Sequence, residues 1–343
     1  MGSYSRLADL PVTIEEYDLE LKERETSSDF TRTSTVIVLR GKGEIGYGED
    51  VTYEGDDQHA FFENPTFPQT GEFTHREFSE MVGEPGFGEG WSNRAYRRWG
   101  FESAALDLAL KQAGTNLAAV LEREYEPVRF VASTRLGDPP TFDRIETLLE
   151  RNPDVEFKLD PTSDWTAELI ERLAETGRVR ILDLKSQYEG TSVDQPVDFD
   201  LYQTIVEQFP DAIIEDPALT DETQPLFDGH EEHLSWDAPI HGIDDIKQLP
   251  FEPSVLNIKP SRFGSVESLL DSIDYCLERD VTLYGGGQFE LDVGREHIHA
   301  IASLFYPYGP NDVAPKDYNN PDLPENLERS PLDPPNDPNG FQW

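Results

Sequence analysis

The chain is short of positive charge, and of lysine above all. Its 343 residues include eight lysines, at positions 22, 42, 111, 158, 185, 247, 259 and 316. Lys and Arg together number 28 against 69 Asp and Glu, a formal net charge of −41. A nucleic-acid binder needs a basic footprint to release phosphate counterions, so that class is excluded. An anionic membrane surface is an equally unsuitable partner. Cysteine occurs once, at Cys276, which excludes an intrachain disulfide and a cysteine-rich metal site. No stretch has the apolar length of a membrane helix, and the first residues lack the apolar core of a signal peptide. A cytoplasmic protein acting on a small molecule is expected.

What is present argues for a folded chain. Hydrophobic residues make up 36% and aromatics 11%, enough to fill a core despite the charge. Few lysines with many acids suit a salt-rich cytoplasm, where counterions screen self-repulsion. An ordinary acidic protein is the alternative. The length fits one large barrel-type domain with a smaller one.

The pattern divides the chain near residue 127. Before it, residues 33–41 (TSTVIVLRG) are β-branched and bounded by turn formers, as in a strand. Residues 41–50 (GKGEIGYGED) have the composition of a Gly-rich polar loop, and 51–93 lack a clear period. Residues 99–114 predict a helix rich in alanine, with Gly114 at its C-terminal cap. From 128 to 305 strands and helices alternate. Strands are expected at 128–134, 155–161, 179–186, 212–217, 233–239, 255–261 and 281–289, with helices at 142–153, 165–177, 198–210, 266–280 and 293–305. This rhythm predicts a parallel α/β fold, and seven units favour a barrel over an open sheet. Residues 306–343 form a Pro-, Asn- and Asp-rich tail, expected to wrap the surface or lack order.

One event repeats along the second part. An apolar strand ends in an ionisable residue at Lys158, Asp183, Glu215, Asp237 and Lys259, at separations of 25, 32, 22 and 22 residues. In a barrel the strand C-termini converge on one mouth, where active sites lie. Asp183, Glu215 and Asp237 would then stand side by side. Three such carboxylates cannot all stay ionised without a counter-charge, and Mg²⁺ is the natural one. A lone strand-end Asp is more often a turn or helix cap. That reading would have to hold at every position in the series.

The arrangement resembles the enolase superfamily, in its muconate-cycloisomerase-like branch (the mandelate racemase/muconate lactonizing enzyme family). GEIGYGED resembles the capping-domain loop that closes over substrate, and FESAALDLAL the helix preceding the barrel. LDLKSQY, IIEDP and SWDAP fall where that family's three metal ligands lie. LNIKPSRFGS resembles its sixth-strand lysine motif and GGGQFELDVGR its seventh-strand glycine motif. The resemblance implies an N-terminal α+β capping domain (1–127) and a modified (β/α)7β TIM-like barrel (128–305), followed by the tail. It also implies Mg²⁺ on Asp183, Glu215 and Asp237, Lys259 as an acid/base group, and Glu290 at the substrate.

The sequence departs from that family twice. Its second strand usually ends Lys-x-Lys, but here the run is Lys158-Leu159-Asp160, which puts Asp160 in the substrate-facing position. Its third strand usually reads Asp-x-Asn, but here it is Asp183-Leu184-Lys185. Strand alternation would put Asp183 and Lys185 on one face. Either the missing ammonium has moved to Lys185, paired with Asp160, or Lys185 merely balances an acidic rim. One principal base suits elimination, so the expected activity is that of a lyase, a dehydratase of a hydroxy-carboxylate. An isomerase (racemase, epimerase or cycloisomerase, including an o-succinylbenzoate synthase-like enzyme) and a non-catalytic metal-binding descendant are the alternatives. His241 could line the mouth, with His297 and His299 weaker candidates. Arg97 and Arg98 are read as neutralising local acid. Trp91, Trp99 and Trp343 are read as exposed aromatics suited to a homo-oligomer interface.

Overall fold

The computed structural model describes residues 2–28, 30–188, 190 and 193–343. Strand β1 (Pro11–Ile14) leads into an antiparallel sheet of β2 (Glu16–Glu25), β3 (Thr31–Gly41) and β4 (Glu44–Asp50), with β3 in the centre. Helix α1 (Gly55–Glu63), β5 (Gly71–Thr74), which pairs with β1, and α2 (His75–Gly83) follow. Helices α3 (Arg94–Gln112) and α4 (Leu117–Leu121) complete this part.

The Gly-rich segment is a strand, not the loop its composition indicated. Lys42 and Gly43 have φ of 51° and 82° and form the two-residue connection of a β3–β4 hairpin, the conformation such hairpins require. The glycines beyond it serve close packing. A Cβ on Gly46 would lie 2.3 Å from the Ala104 carbonyl oxygen, and one on Gly48 2.0 Å from that of Gly100. Small residues on β4 and α3 let strand and helix backbones touch. Within 51–93, α2 opens with a capping box in which Thr74 and Glu77 satisfy each other's backbone amides.

Strand β3 is buried on both faces. Ile37 and Leu39 face α3, whereas Val36 and Val38 meet Val293 of the second part. Helix α3 is buried from Trp99 to Leu110 because it lies between two apolar cores. It ends in a Schellman pattern at Gly114 (φ 64°), with Thr115 N–H donating to the Leu110 carbonyl.

The second part alternates as expected: β6 (Ala132–Thr134), α5 (Asp143–Arg151), β7 (Phe157–Leu159), α6 (Ala167–Glu175), β8 (Val179–Asp183), α7 (Phe199–Gln208), β9 (Ile213–Glu215) and β10 (Leu234–Ser235). Then come α8 (Ile243–Gln248), β11 (Val255–Ile258), α9 (Val266–Leu277), β12 (Thr282–Gly285) and α10 (Val293–Phe305). Strands β6 to β10 run parallel in chain order, and β11 pairs parallel with β12. Backbone hydrogen bonds join the two sheets into a ring. Asn257 N–H donates to the Trp236 carbonyl, Asp312 N–H to Gly285, and Val131 N–H to Asn311. Residues 311–312 thus act as a short eighth strand between β12 and β6.

The tail is therefore integral to the fold. Val313, Ala314, Tyr318 and Phe341 are buried in the main core. The tryptophans are not an exposed set either. Trp99 packs on Phe341, Trp91 stacks on Phe101, and Trp343 is half-buried against Tyr125. Among the described residues no helix is long and apolar enough to cross a membrane.

Candidate metal and acid–base site

Parallel pairing sets Asp183 of β8 directly against Glu215 of β9, and Glu215 against Ser235 of β10. Two residues beyond Ser235 the chain reaches Asp237. Ligand oxygens of Asp183, Glu215 and Asp237 lie within 4.8 Å of one another, and all three residues are buried. Opposite oxygens on an octahedral Mg²⁺ stand about 4 Å apart.

Four cations press on this triplet. Lys158, from β7, contacts Glu215, lies 3.2 Å from Asp183 and reaches Asp312 of the eighth strand at 3.6 Å. Lys185 contacts Asp183 and approaches Asp160 at 3.9 Å. Lys259 Nζ lies 2.8 Å from Asp237 Oδ2. Arg262 donates to the same oxygen at 3.2 Å and to the Asp237 carbonyl at 2.6 Å. Gly286 makes room for Lys259, since a Cβ there would lie 2.8 Å from the lysine Cε.

Neutral groups complete the shell. Tyr284 O–H and Asn257 Nδ2 donate to Glu215, and Tyr188 O–H donates to Asp237 Oδ2 at 2.7 Å. The carboxylate of Asp216 accepts the backbone N–H groups of Asp237 and Ala238 at 2.8 and 2.9 Å, fixing the turn that carries Asp237.

The electrostatics show how the charges share the site. Burial opposes ionisation of Asp183, yet Lys185 and Lys158 hold its carboxyl below the usual range. Burial acts likewise on Asp237, where Arg262 and Lys259 prevail. Burial also works against charge on Lys158 and Lys185. Glu215 and Asp183 for the first, and Asp160 and Asp183 for the second, overcome it and raise both well above an ordinary lysine. Glu215 carries the strain: burial pushes it well up, Lys158 opposes, and Asp183 and Asp237 add to the rise. Burial is the larger cause of that rise, and the two neighbouring carboxylates add to it. Asp237 Oδ1 is buried and has no hydrogen-bond partner among the described residues. An all-oxygen, all-carboxylate donor set fits a hard divalent ion such as Mg²⁺.

The remaining candidates separate clearly. Glu290 does not touch the triplet. Its carboxylate accepts the N–H of Gln288 at 2.9 Å, and it lines a small polar cavity with Ser133, Arg295 and Asp312. Asp160 is half-buried beside Lys185. His241 is exposed and leans on Asp245. His297 stacks on Phe341 at 4.1 Å, and His299 bonds the Val313 carbonyl. Arg97 pairs with Asp50 and Asp57, and Arg98 with Glu102. Arg262, Tyr284, Asn257, Tyr188 and Asp216 escaped the sequence analysis. Arg262, Asn257, Tyr188 and Asp216 each lie within a motif quoted above, the one signal available for them, and Tyr284 lies outside any.

The chain is similar to several known proteins. A family profile described as "Domain of unknown function (DUF8230) C-terminal domain" matches residues 124–320, and the corresponding N-terminal domain matches 5–120. The o-succinylbenzoate synthase of Bacillus subtilis (strain 168) is 25% identical over 253 residues, covering 70% of this chain and 64% of that protein. The enzyme of that name from Geobacillus stearothermophilus is 27% identical over 226 residues, covering 62% and 57%. The chain thus spans less than two thirds of the length of these curated relatives. Among solved structures, the dipeptide epimerase from Methylococcus capsulatus, in complex with a Mg ion, superposes with a TM-score of 0.67 at 16% identity, over 89% of this chain and 92% of that one. Muconate lactonizing enzyme from Pseudomonas putida gives 0.61 at 20%, over 85% and 84%. An enolase-superfamily member from Listeria innocua gives 0.64 at 18%, over 89% and 86%. The chain belongs to the DUF8230 family, matched through both its domains, and has the fold of the enolase superfamily.

Proposed function

We propose that the protein removes the α-proton of a small carboxylate substrate in a Mg²⁺-dependent reaction through an enediolate, and that the reaction ends in elimination, as in a dehydratase-type lyase. The observation that carries this reading is the buried triplet Asp183, Glu215 and Asp237, within 4.8 Å, on adjacent strands between Lys158 and Lys259. Those three carboxylates would hold Mg²⁺. When bound, the ion would supply the charge that makes a weakly acidic carbon proton removable.

The chain's own groups would do the rest. Lys259, held beside Asp237, would accept the α-proton at Nζ. Lys158 is kept cationic by Glu215, Asp183 and Asp312, so it would act as a fixed positive charge facing the enediolate oxygens. Lys185 would take the place of the absent second-strand lysine, with Asp160 holding it. Its carboxylate neighbours keep it protonated, which suits it to donate a proton rather than to remove one. Glu290 would shape the substrate side through the turn it braces.

One available base favours elimination over epimerisation, which needs a base on each face of the α-carbon. The superposed dipeptide epimerase keeps isomerisation as the second reading. NMR of pooled hydroxy acids, acid sugars and N-acylamino acids in D₂O tests the choice. Loss of water with a new keto acid supports the lyase, and α-deuteration without loss supports the isomerase. A Mg²⁺-dependent thermal shift with no exchange on any acid would point to a non-catalytic binding protein.

A further inference from the structure

We infer that Glu49 is a positioning residue through which the N-terminal sheet sets the shape of the turn bearing Gln288 and Glu290. The inference rests on contacts alone; only its bearing on substrate depends on the function proposed above.

Helix α10 begins without a cap of its own, because the side chain at its N-cap, Asp292, makes no capping hydrogen bond. Its free amides are satisfied from the other part of the molecule. Glu49, fully buried on β4, accepts the N–H of Leu291 at 2.7 Å on Oε1. On Oε2 it accepts the N–H of Asp292 at 3.1 Å and of Gly294 at 2.9 Å. Ser34 of β3 steadies the carboxylate by donating to Oε1 at 2.6 Å. A carboxylate at a helix N-terminus is favourable in both hydrogen bonding and charge. Here it comes from a strand 242 residues away in sequence.

Gly294 makes the approach feasible. A Cβ at that position would stand 2.8 Å from both Glu49 Oε2 and Glu290 Cγ. The same short turn is gripped at other points. Tyr53 O–H donates to Gln288 Oε1 at 2.8 Å, Phe30 packs edge-on against Phe289 at 5.4 Å, and Lys22 pairs with Asp292 at 2.8 Å. Phe289 sits at φ 56°, a strained conformation that the surroundings must enforce. Within this grip Glu290 turns back onto the N–H of Gln288. The turn that follows β12 is therefore held in shape by the N-terminal sheet, with Glu49 making most of the polar contacts.

Amide hydrogen exchange on the full chain, resolved to single residues, tests this. In Glu49→Gln, the amides of Leu291, Asp292 and Gly294 should exchange about tenfold faster, as for loss of bonds to a charged acceptor. The deciding amide is Gln288, which bonds Glu290 and not Glu49. It should also lose protection, while barrel strands β7 and β8 keep theirs. Gly294→Ala, whose Cβ would meet both Glu49 Oε2 and Glu290 Cγ, should give the same pattern, and the double variant should add little. If Gln288 stays protected in both variants, Glu49 is only a helix cap and the inference fails. Should Glu49→Gln loosen the whole chain, Glu49→Asp, which keeps the charge and withdraws the carboxylate from the three amides without touching Glu290, decides by the same readout.

Discussion

Lys185 meets Asp183 by a turn of the backbone, not by strand alternation. Strand β8 ends at Asp183, and Lys185 has φ 54°, in the left-handed region that a lysine seldom adopts. There its N–H donates to Asp183 Oδ1 at 3.1 Å while its ammonium folds back onto Oδ2. Such strain persists where the surroundings hold it, and it brings a half-buried ammonium to the mouth on a strand where the resemblance led one to expect an amide.

If that ammonium transfers a proton, Lys185→Met lowers turnover by about 100-fold or more. A lysine that only balances Asp183 would behave differently: its removal would leave turnover in place and tighten Mg²⁺, having removed a competing cation. Steady-state rates alongside calorimetric Mg²⁺ titration separate the two outcomes, and we expect the first.

The metal site should respond to residues that never touch the ion. Asp216 holds the amides of Asp237 and Ala238, and Tyr284 O–H holds Glu215. Asp216→Asn and Tyr284→Phe should each weaken Mg²⁺ by about 10–100-fold, the usual effect of losing an outer partner. Asp183→Asn, which alters a ligand, should weaken it more. Mg²⁺ at 100 times its dissociation constant should add about 2.7 kcal/mol of stability to the native protein. Titration calorimetry and melting curves measure both.

Acid should destabilise the fold through buried imidazoles. Burial lowers His75 and His299 to about 4 and His297 to about 3. In the unfolded chain these groups take up protons as pH falls below about 6.5. The stability that depends on their neutrality is thus complete above pH 6.5 and drains away as pH drops towards 4. Buried carboxyls with raised pKa, such as Glu102, act in the opposite sense, so a difference between variants is the clean readout. Between pH 6 and 4 the native protein should lose about 1.4 kcal/mol more per pH unit than His297→Phe. Denaturant melts at several pH values test this, and parallel losses would refute it.

The charge of −41 predicts a dependence on salt. Many acids are exposed and unpaired by lysine, so counterions must screen their repulsion. The melting temperature should rise steadily from dilute buffer to molar KCl. Curves that do not move would show that the acidic surface is neutral to stability.

Much of this was legible in the sequence for a physical reason. Barrel strands are short apolar runs ending in charge, and parallel pairing makes the ends of successive strands adjacent, so Asp183, Glu215 and Asp237 could be placed together before any coordinates. Other features left weaker traces. The glycines at 46 and 48 look like loop residues unless the helix they touch is known. The eighth strand is two residues within a proline-rich tail, formed by contacts from both sides. Tyr284 and Asn257 lie inside strands, where a polar residue among apolar ones gives no sign of what stands opposite. Glu290 lies in the turn after β12, where its carboxylate is committed to the backbone of that turn.

The central claim is that Lys259 removes a carbon-bound proton beside Mg²⁺ held by Asp183, Glu215 and Asp237. The most direct measurement is α-proton exchange in D₂O, followed by NMR on acids found in the pooled screen, for the native protein with Mg²⁺, the native protein after exhaustive chelation, and Lys259→Ala with Mg²⁺. The account predicts exchange in the first sample and none in the other two. Undiminished turnover after chelation, or α-deuteration catalysed by Lys259→Ala, would contradict it.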